Sequence, residues 1–475
     1  MTAVLSAYVA PILSAYVERL SASLKIIGYE GEVSYMTSSG GISSQESSML
    51  SPISIVGSGV AGGASAAAEL STKIDADKVI NFEMGGTSTD VCIVEDHKPG
   101  ISTDKVLLAF PILLPEVDVK SIGAGGGSVA YADTDGRLKV GPQSAGASPG
   151  PACYGNGGEQ FTVTDANLLL GRLGKHSLIG GEMQLDDSFS MLAARNLGES
   201  VSLEDLGALA EGVLDIAVTH MYGAIRELTI ERGKDPTEYK LVATGGAGPL
   251  HAIPLALMLG IETVVVPPSP GTFSAMGMLV SDLRHDFVRT YLKPLSETHM
   301  SDVKRLCDSM TEEAEDALGG DGIESAERKL EFSAEMRYLE QSFVEHVSFD
   351  PNVSRLVDLA ENFTNAYENR YGYSRDTGMI EIVNLRLVAT GSVLLPESNN
   401  EIAKEEIDAV KGERQVRFFG EVMSCTIYDR GFLAEGLKII GPAIVEEYAS
   451  TTALFPGWEL EVDKFDNLLM TPVSD

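Results

Sequence analysis

Residues Val79 to Val94, VINFEMGGTSTDVCIV, constrain this chain more than any other stretch. Two apolar runs, Val79-Ile80-Asn81-Phe82 and Val91-Cys92-Ile93-Val94, flank Gly85-Gly86 and a cluster of hydroxyls, a pattern that predicts strand, tight turn, strand. Gly85 and Gly86 lack a Cβ, so backbone N–H groups there can approach an anion, and Thr87, Ser88 and Thr89 add hydroxyl donors of little bulk. Glu83 and Asp90 bracket the turn as oxygen ligands suited to a hard cation such as magnesium. A glycine hairpin that binds nothing shares this signature. Further glycine turns along the chain shift the balance toward a phosphate-bearing ligand.

The chain can bury large cores: 475 residues with 44% apolar content predict two or three globular domains. A formal charge of −34 argues against a nucleic-acid surface, which needs clustered Lys and Arg. A small anionic nucleotide is still compatible, because backbone dipoles and a bound cation act locally. Cys92, Cys153, Cys307 and Cys425 lie far apart without a CxxC, so buried free thiols are expected rather than a zinc cage or a disulfide framework. No run of about 18 uncharged apolar residues occurs. The start, MTAVLSAYVAPILSAYVERL, has no basic region ahead of its apolar part and carries Pro11 and Glu18, so a cytoplasmic chain without signal peptide or membrane contact is expected.

Apolar residues from Val4 to Leu20 recur at helical spacing, predicting an amphipathic helix over 2–26, kinked or opened by Pro11. Small-residue loops are expected at Tyr35–Gly41 and Val56–Ala64, the second leading into an Ala-rich helix that ends near Leu70. A strand is expected from Val106 to Leu114, then Asp118, Lys120 and the loop Gly123-Ala124-Gly125-Gly126-Gly127-Ser128. That loop is no dinucleotide fingerprint, since the third glycine of GxGxxG falls at Ser128, but Gly125 and Gly126 offer a second backbone surface to a polar ligand. Asp118 there is a ligand, a base or a solvated loop carboxylate. Val140 to Gly158 is too rich in Gly, Pro and Ser for a helix or central strand and reads as a long structured loop. Thr164 or Asp165 caps the helix that follows it.

A long helix with one buried face is predicted from Leu203 to Arg232. Leu241-Val242-Ala243 then reads as a buried strand, Thr244-Gly245-Gly246-Ala247-Gly248 as a glycine turn, and Pro249 onward as a helix whose N-terminus can face a polar ligand. His251 faces that site or packs at the helix start. A charge-rich helix near Asp302–Leu318 and two strand-rich segments, Glu331–Phe349 and Glu381–Leu395, around a helix with Phe363, Tyr367 and Tyr371 precede a mainly β region from Gln415.

The three glycine turns resemble the nucleotide cleft of the actin-like ATPase fold. EMGGTSTDV (Glu83 to Val91), IGAGGGS (Ile122 to Ser128), VGPQSAGASPGPACYG (Val140 to Gly155), TVTDANLLLGRL (Thr162 to Leu173), GGAGPLHA (Gly245 to Ala252) and GPAIVEEYASTT (Gly441 to Thr452) resemble the hydantoinase A and 5-oxoprolinase family along the whole chain. The resemblance implies an α/β fold with an actin-like (ribonuclease H-like) core over 1–290 and a C-terminal hydantoinase A-type region over 291–475, mixed α+β and then mainly β. It implies ATP-dependent phosphorylation of a cyclic-amide carbonyl oxygen before ring opening, with a hydantoinase B-type partner and a small cyclic amide as substrate. The alternatives are a non-catalytic scaffold for that partner and a component of a related ketone carboxylase. By the resemblance Gly85, Gly86, Thr87, Ser88 and Thr89 cradle the β- and γ-phosphates, Glu83 or Asp90 orients magnesium, and Gly245, Gly246 and Gly248 lie against the nucleoside. Asp118, Lys120, Gly125, Gly126, Asp165 and His251 are further substrate or metal candidates. Family chains carry an additional N-terminal region with its own Gly-Gly-Thr phosphate motif, so a separate N-terminal lobe is an expected partner. Glu83 stands where the family has Asp, Lys120 where it has His, and Val60 where it has Pro.

Overall fold

The computed structural model describes residues 2–102, 106–107, 110–111, 114–393 and 408–473. Two compact units interleave along the sequence: residues 2–37, 41–56 and 280–393 form one, and 38–40, 57–279 and 408–473 the other. The division into 1–290 and 291–475, by contrast, is consecutive.

The second unit is built on a nine-stranded sheet. Five of its strands carry the architecture. Along the sheet they run Val119–Ile122, Thr89–Glu95, Lys78–Met84, Lys240–Thr244, Val264–Val266, which in chain order is third, second, first, fourth, fifth. Thr89–Glu95 is antiparallel to both neighbours, while Lys240–Thr244 is parallel to Lys78–Met84 and to Val264–Val266. This is the strand order of a ribonuclease H-like core, as the resemblance implied. Both faces are buried, so the central strands read as continuous rather than alternating apolar runs. Val79, Val94, Val242 and Val265 pack with Ala66, Ala67 and Leu70 of the Ser58–Lys73 helix. Ile80, Phe82, Met84, Val91 and Leu241 join the main core with the Leu206–Leu228 and Gly248–Leu259 helices. A four-stranded sheet, Val410–Phe418, Glu421–Asp429, Ala443–Glu447 and Ser450–Leu454, continues that core through Phe418, Ile444 and Leu454.

The first unit is a six-stranded sheet in which Leu283–Pro294, Ile380–Gly391 and Arg328–Tyr338 are the long neighbours. The Met300–Gly320 and Leu356–Tyr371 helices bury Val303, Met310, Leu359 and Phe363 in its core.

Several expectations change. Residues 58–64 are helical rather than a loop: the helix Ser58–Lys73 opens after Gly57 and uses its small residues to approach neighbouring backbone. Val140 to Ser144 lies in a strand, Leu138–Ser144, which accommodates Pro142 because it is half of a two-stranded pair with Ser128–Ala132. Of the expected strand 106–114, Val106–Leu107 and Phe110–Pro111 pair antiparallel, and residues 108–109 and 112–113 lie outside the described residues, as do 394–395 of the later strand segment. The N-terminal helix is one element, Thr2–Ile26, running through Pro11. Its apolar positions are not one buried face: Val17 is buried, whereas Val4, Tyr8, Ile12 and Tyr16 are exposed. Among the described residues it is the one helix long and apolar enough to cross a membrane by length and composition, although it carries Glu18, Arg19 and Lys25. All four cysteines are free and buried.

Candidate functional site

The Lys78–Met84 and Thr89–Glu95 strands pair so that Glu83 lies opposite Asp90 and Met84 opposite Thr89, and the turn between them is Gly85 to Ser88. Gly85 N donates to Ser88 O at 3.0 Å and closes it. Among the described residues the amides of Gly86, Thr87 and Ser88 carry no hydrogen bond, and Gly86 and Thr87 are exposed. A β-carbon added at Gly86 would meet open space. Three unsatisfied N–H groups on one exposed turn form a concavity suited to an anion.

The two other glycine loops hold this turn from either side. Gly126 N donates to Gly85 O (2.9 Å) and Gly127 N to Gly86 O (2.7 Å), which spends the amides of the second loop on the first loop's carbonyls. Thr89, fully buried, donates its hydroxyl to Ala124 O. The Thr164 amide and hydroxyl both reach Gly126 O at 2.8 Å. Gly125 is required by closeness: a β-carbon there would stand 2.6 Å from the Thr87 backbone. On the other side Ala247 N donates to Met84 O (3.0 Å), and Gly245, at φ +80, lies so close to Met84 that any β-carbon would strike its carbonyl. Gly246 faces Ala449, and Ser450 Oγ donates to Gly245 O at 3.3 Å. Gly248 packs against the Phe82 ring at the start of its helix.

Glu83 and Asp90 share the sheet face covered by the Ser58–Lys73 helix. Glu83 Oε2 accepts from Ser274 Oγ at 2.6 Å and sits against Gly63. Burial raises its carboxyl above the usual range; the Ser274 hydrogen bond opposes that, and the nearby Asp90 charge adds to it. Asp90 Oδ1 accepts from Ser121 Oγ. Two opposed carboxylates beside a turn with three unspent amides fit magnesium, which takes one or two carboxylates and completes its shell with other oxygens. Among the described residues no group of three or more metal-ligating side chains occurs.

Other candidates stand apart from the turn. Asp118 precedes the end of the Val119–Ile122 strand farther from the turn and pairs with Arg232. Lys120 points to the opposite sheet face and pairs with Glu227 at 2.7 Å; both line a cavity of about 530 Å³ with Ile122, Ala124, Tyr131 and His220. Asp165 is fully buried and takes bonds from Ala152 N, Cys153 N, Thr162 N, Thr162 Oγ1 and Ser190 Oγ, so it fastens the 150–162 loop. The helix cap beside it is Thr162, with Asp165 completing a capping box, rather than Thr164 or Asp165 itself. His251 is 1% exposed, and desolvation, with Arg172 adding, pushes it down to about 3. It is a core group. Sequence reasoning gave no role to Ser274, Ala449 or Ser450, and gave Thr164 only that of a helix cap. The last three stood inside quoted motifs, whereas Ser274 had no local signal at all.

Comparison with known proteins places the chain in a family. The hydantoinase/oxoprolinase family description matches residues 1–287, and that of the hydantoinase/oxoprolinase C-terminal domain matches 295–471. An uncharacterised protein of Methanocaldococcus jannaschii is 35% identical over 98% of this chain and 69% of its own length. Caprolactamase subunit alpha of Pseudomonas jessenii is 31% identical over 99% of this chain and 69% of its own. The crystal structure of ATP-dependent caprolactamase from Pseudomonas jessenii superimposes with a TM-score of 0.86 at 30% identity, covering 100% of this chain and 70% of that one. With its family motifs gathered around one turn, and family descriptions that together span nearly all of it, the chain belongs to the hydantoinase/oxoprolinase family.

Proposed function

We propose that this chain is the nucleotide-binding component of an ATP-dependent cyclic-amide hydrolase. The observation that carries the reading is the Gly85–Ser88 turn, with three unspent amides outward and two glycine loops bracing it. In this reading the Gly86, Thr87 and Ser88 amides donate to β- and γ-phosphate oxygens. The Thr87 and Ser88 hydroxyls supplement them, and Gly246 and Ala449 border the nucleoside side. Thr89 contributes by fixing the turn to Ala124 rather than by touching phosphate. Magnesium, held by Glu83 and Asp90, would neutralise phosphate charge. Phosphoryl transfer of this kind depends on positioning and charge stabilisation more than on covalent groups of the protein. The acceptor is the carbonyl oxygen of a small lactam, whose amide bond then yields to water. A B-type subunit completing the ring opening, and a cytoplasmic setting where ATP is at hand, belong to the same reading. The naming of relatives as subunits and as ATP-dependent supports it.

Calorimetric titration of magnesium-ATP into the chain and its Gly86→Val variant tests the site. Saturable binding by the parent with at least tenfold weaker binding by a folded variant is expected; equal affinities would refute the assignment. Phosphate release with lactams, set against ketones plus bicarbonate, then tests the substrate class.

A further inference from the structure

A second charged cavity lies elsewhere in the same unit. It encloses about 190 Å³ between the Leu206–Leu228 helix, the Gly248–Leu259 helix and the Phe419-Gly420 turn. Arg172 lies in its wall, 5% exposed. The guanidinium rests over the Phe418 and Phe455 rings at 5.3 and 5.0 Å, and its Nε donates to Arg417 O at 3.2 Å. Among the described residues no carboxylate comes within ion-pair distance of it, and its hydrogen bond is the Nε bond to Arg417 O; the neutral His251 lines the same cavity. Desolvation pushes this guanidinium down to about 10, and the Glu211 and Asp215 charges, neither in direct ion-pair contact, only partly oppose it.

The cavity also carries a carboxylate of the opposite kind. Glu211 is already satisfied by Arg417 Nε (2.9 Å) and Gly420 N (2.8 Å). Asp215, one turn further along the helix, is exposed and its carboxyl holds no hydrogen bond among the described residues. Partial desolvation raises it, Arg172 opposes and Glu211 adds. Beside it Phe419 occupies a left-handed conformation, φ +51, and keeps its ring 61% exposed. A residue such as Asn would make the same turn with less strain. The Phe419 ring packs beside Phe455, with centroids 5.4 Å apart, at the rim of the cavity, where an aromatic ring attracts a cation.

A buried guanidinium that no described carboxylate pairs with directly, an exposed carboxylate without a hydrogen bond among the described residues, and the apolar Leu214, Val218 and Phe455 lining the same cavity define complementary chemistry. We propose that this cavity binds a small amino acid as its zwitterion, the carboxylate on Arg172 and the ammonium at Asp215 and Phe419. Dianions such as phosphate are disfavoured by Glu211 and Asp215, and an uncharged ligand would leave both charges unmatched. A ring-opened lactam is itself an amino acid, so a product of the proposed reaction falls in the class this cavity takes. Only that last link rests on the proposed function.

The test is calorimetric titration of glycine, 4-aminobutyrate and 6-aminohexanoate into the full chain without nucleotide, with butyrate and butylamine as single-charge controls. At least one zwitterion should bind saturably, and at least tenfold more tightly than either control. Arg172→Met should abolish binding. Because Arg172 also packs on two aromatic rings, Asp215→Asn, at an exposed position, is the second variant: zwitterion affinity should fall at least tenfold toward that of butyrate. Absence of zwitterion binding, butyrate binding as tightly, or unchanged affinity in Asp215→Asn would each overturn the proposal. Magnesium-ATP titration of the same preparation reads the nucleotide site separately, so failure of either assignment is distinguishable from failure of the other.

Discussion

Gly125→Ala should damage the Gly85–Ser88 turn from outside it. The new methyl would lie 2.6 Å from the Thr87 backbone, where ordinary contact begins at 3.4 Å. The turn and the loop must therefore part by about 0.8 Å, with no flexible side chain to absorb it. That retreat stretches the Gly126 to Gly85 and Gly127 to Gly86 hydrogen bonds, now 2.9 and 2.7 Å, beyond useful length. Each net bond is worth about 1 kcal/mol, and residual overpacking adds about 1 kcal/mol or more, giving a loss near 3 kcal/mol. For a unit of this size the thermal midpoint should drop by about 5 °C. Scanning calorimetry reads it, with Gly86→Ala as control: its methyl meets open space, so its midpoint should stay within about 2 °C of wild type. A Gly125→Ala protein that melts with the wild type would refute the claim that this glycine is fixed by backbone contact.

Three further outcomes are expected. Glu83→Gln should stabilise the metal-free protein at pH 7 while weakening magnesium-dependent nucleotide binding. Its folded-state carboxyl is raised, so wild-type stability falls as pH rises from the unfolded value toward the folded one; urea titrations at pH 4 and 7 should show the gain at pH 7 alone. Asp165→Ala strands five donors in the interior and should cost more than about 4 kcal/mol, seen as loss of soluble protein, while Asp165→Asn keeps part of the network. His251, held near 3, stays neutral when folded but gains a proton when unfolded below its ordinary 6.5. Stability should decline by up to about 1.4 kcal/mol per pH unit as pH falls below 6, and His251→Gln should remove that slope in denaturant titrations; an unchanged slope would mean the imidazole titrates in the fold.

The strands around the turn were legible because Val79 to Val94 combines two apolar runs with a two-glycine break, and the parallel strand at Leu241 because its run ends in another glycine turn. The helix at Ser58 was not. Glycines at 59, 62 and 63 read as a loop by propensity, yet the smallness of Gly62 and Gly63 lets the helix lie against the Ser274 backbone and Glu83, and tertiary packing outweighs propensity there. Candidate residues divide in the same way. The unspent amides follow from local sequence, but the spending of Thr89 on Ala124, 35 residues on, and of Asp165 on Cys153 and Ser190, 12 and 25 residues away, depends on the fold. Ser274 meets Glu83 across 191 positions, a separation no local pattern encodes.

The Lys78–Met84 strand alternates Val79, Asn81 and Glu83 toward one covered face with Ile80, Phe82 and Met84 toward the other. Asn81 meets Thr244 Oγ1 at 3.1 Å, and Glu83 meets Ser274. These polar groups act as a key. Sliding the strand by one residue would force Glu83 into the aromatic and aliphatic layer and drive Phe82 onto a helix whose facing residues are glycine and alanine. Mispaired sheets are thereby penalised from both sides at once, and the same register that satisfies Asn81 and Glu83 fixes where the Gly85–Ser88 turn falls.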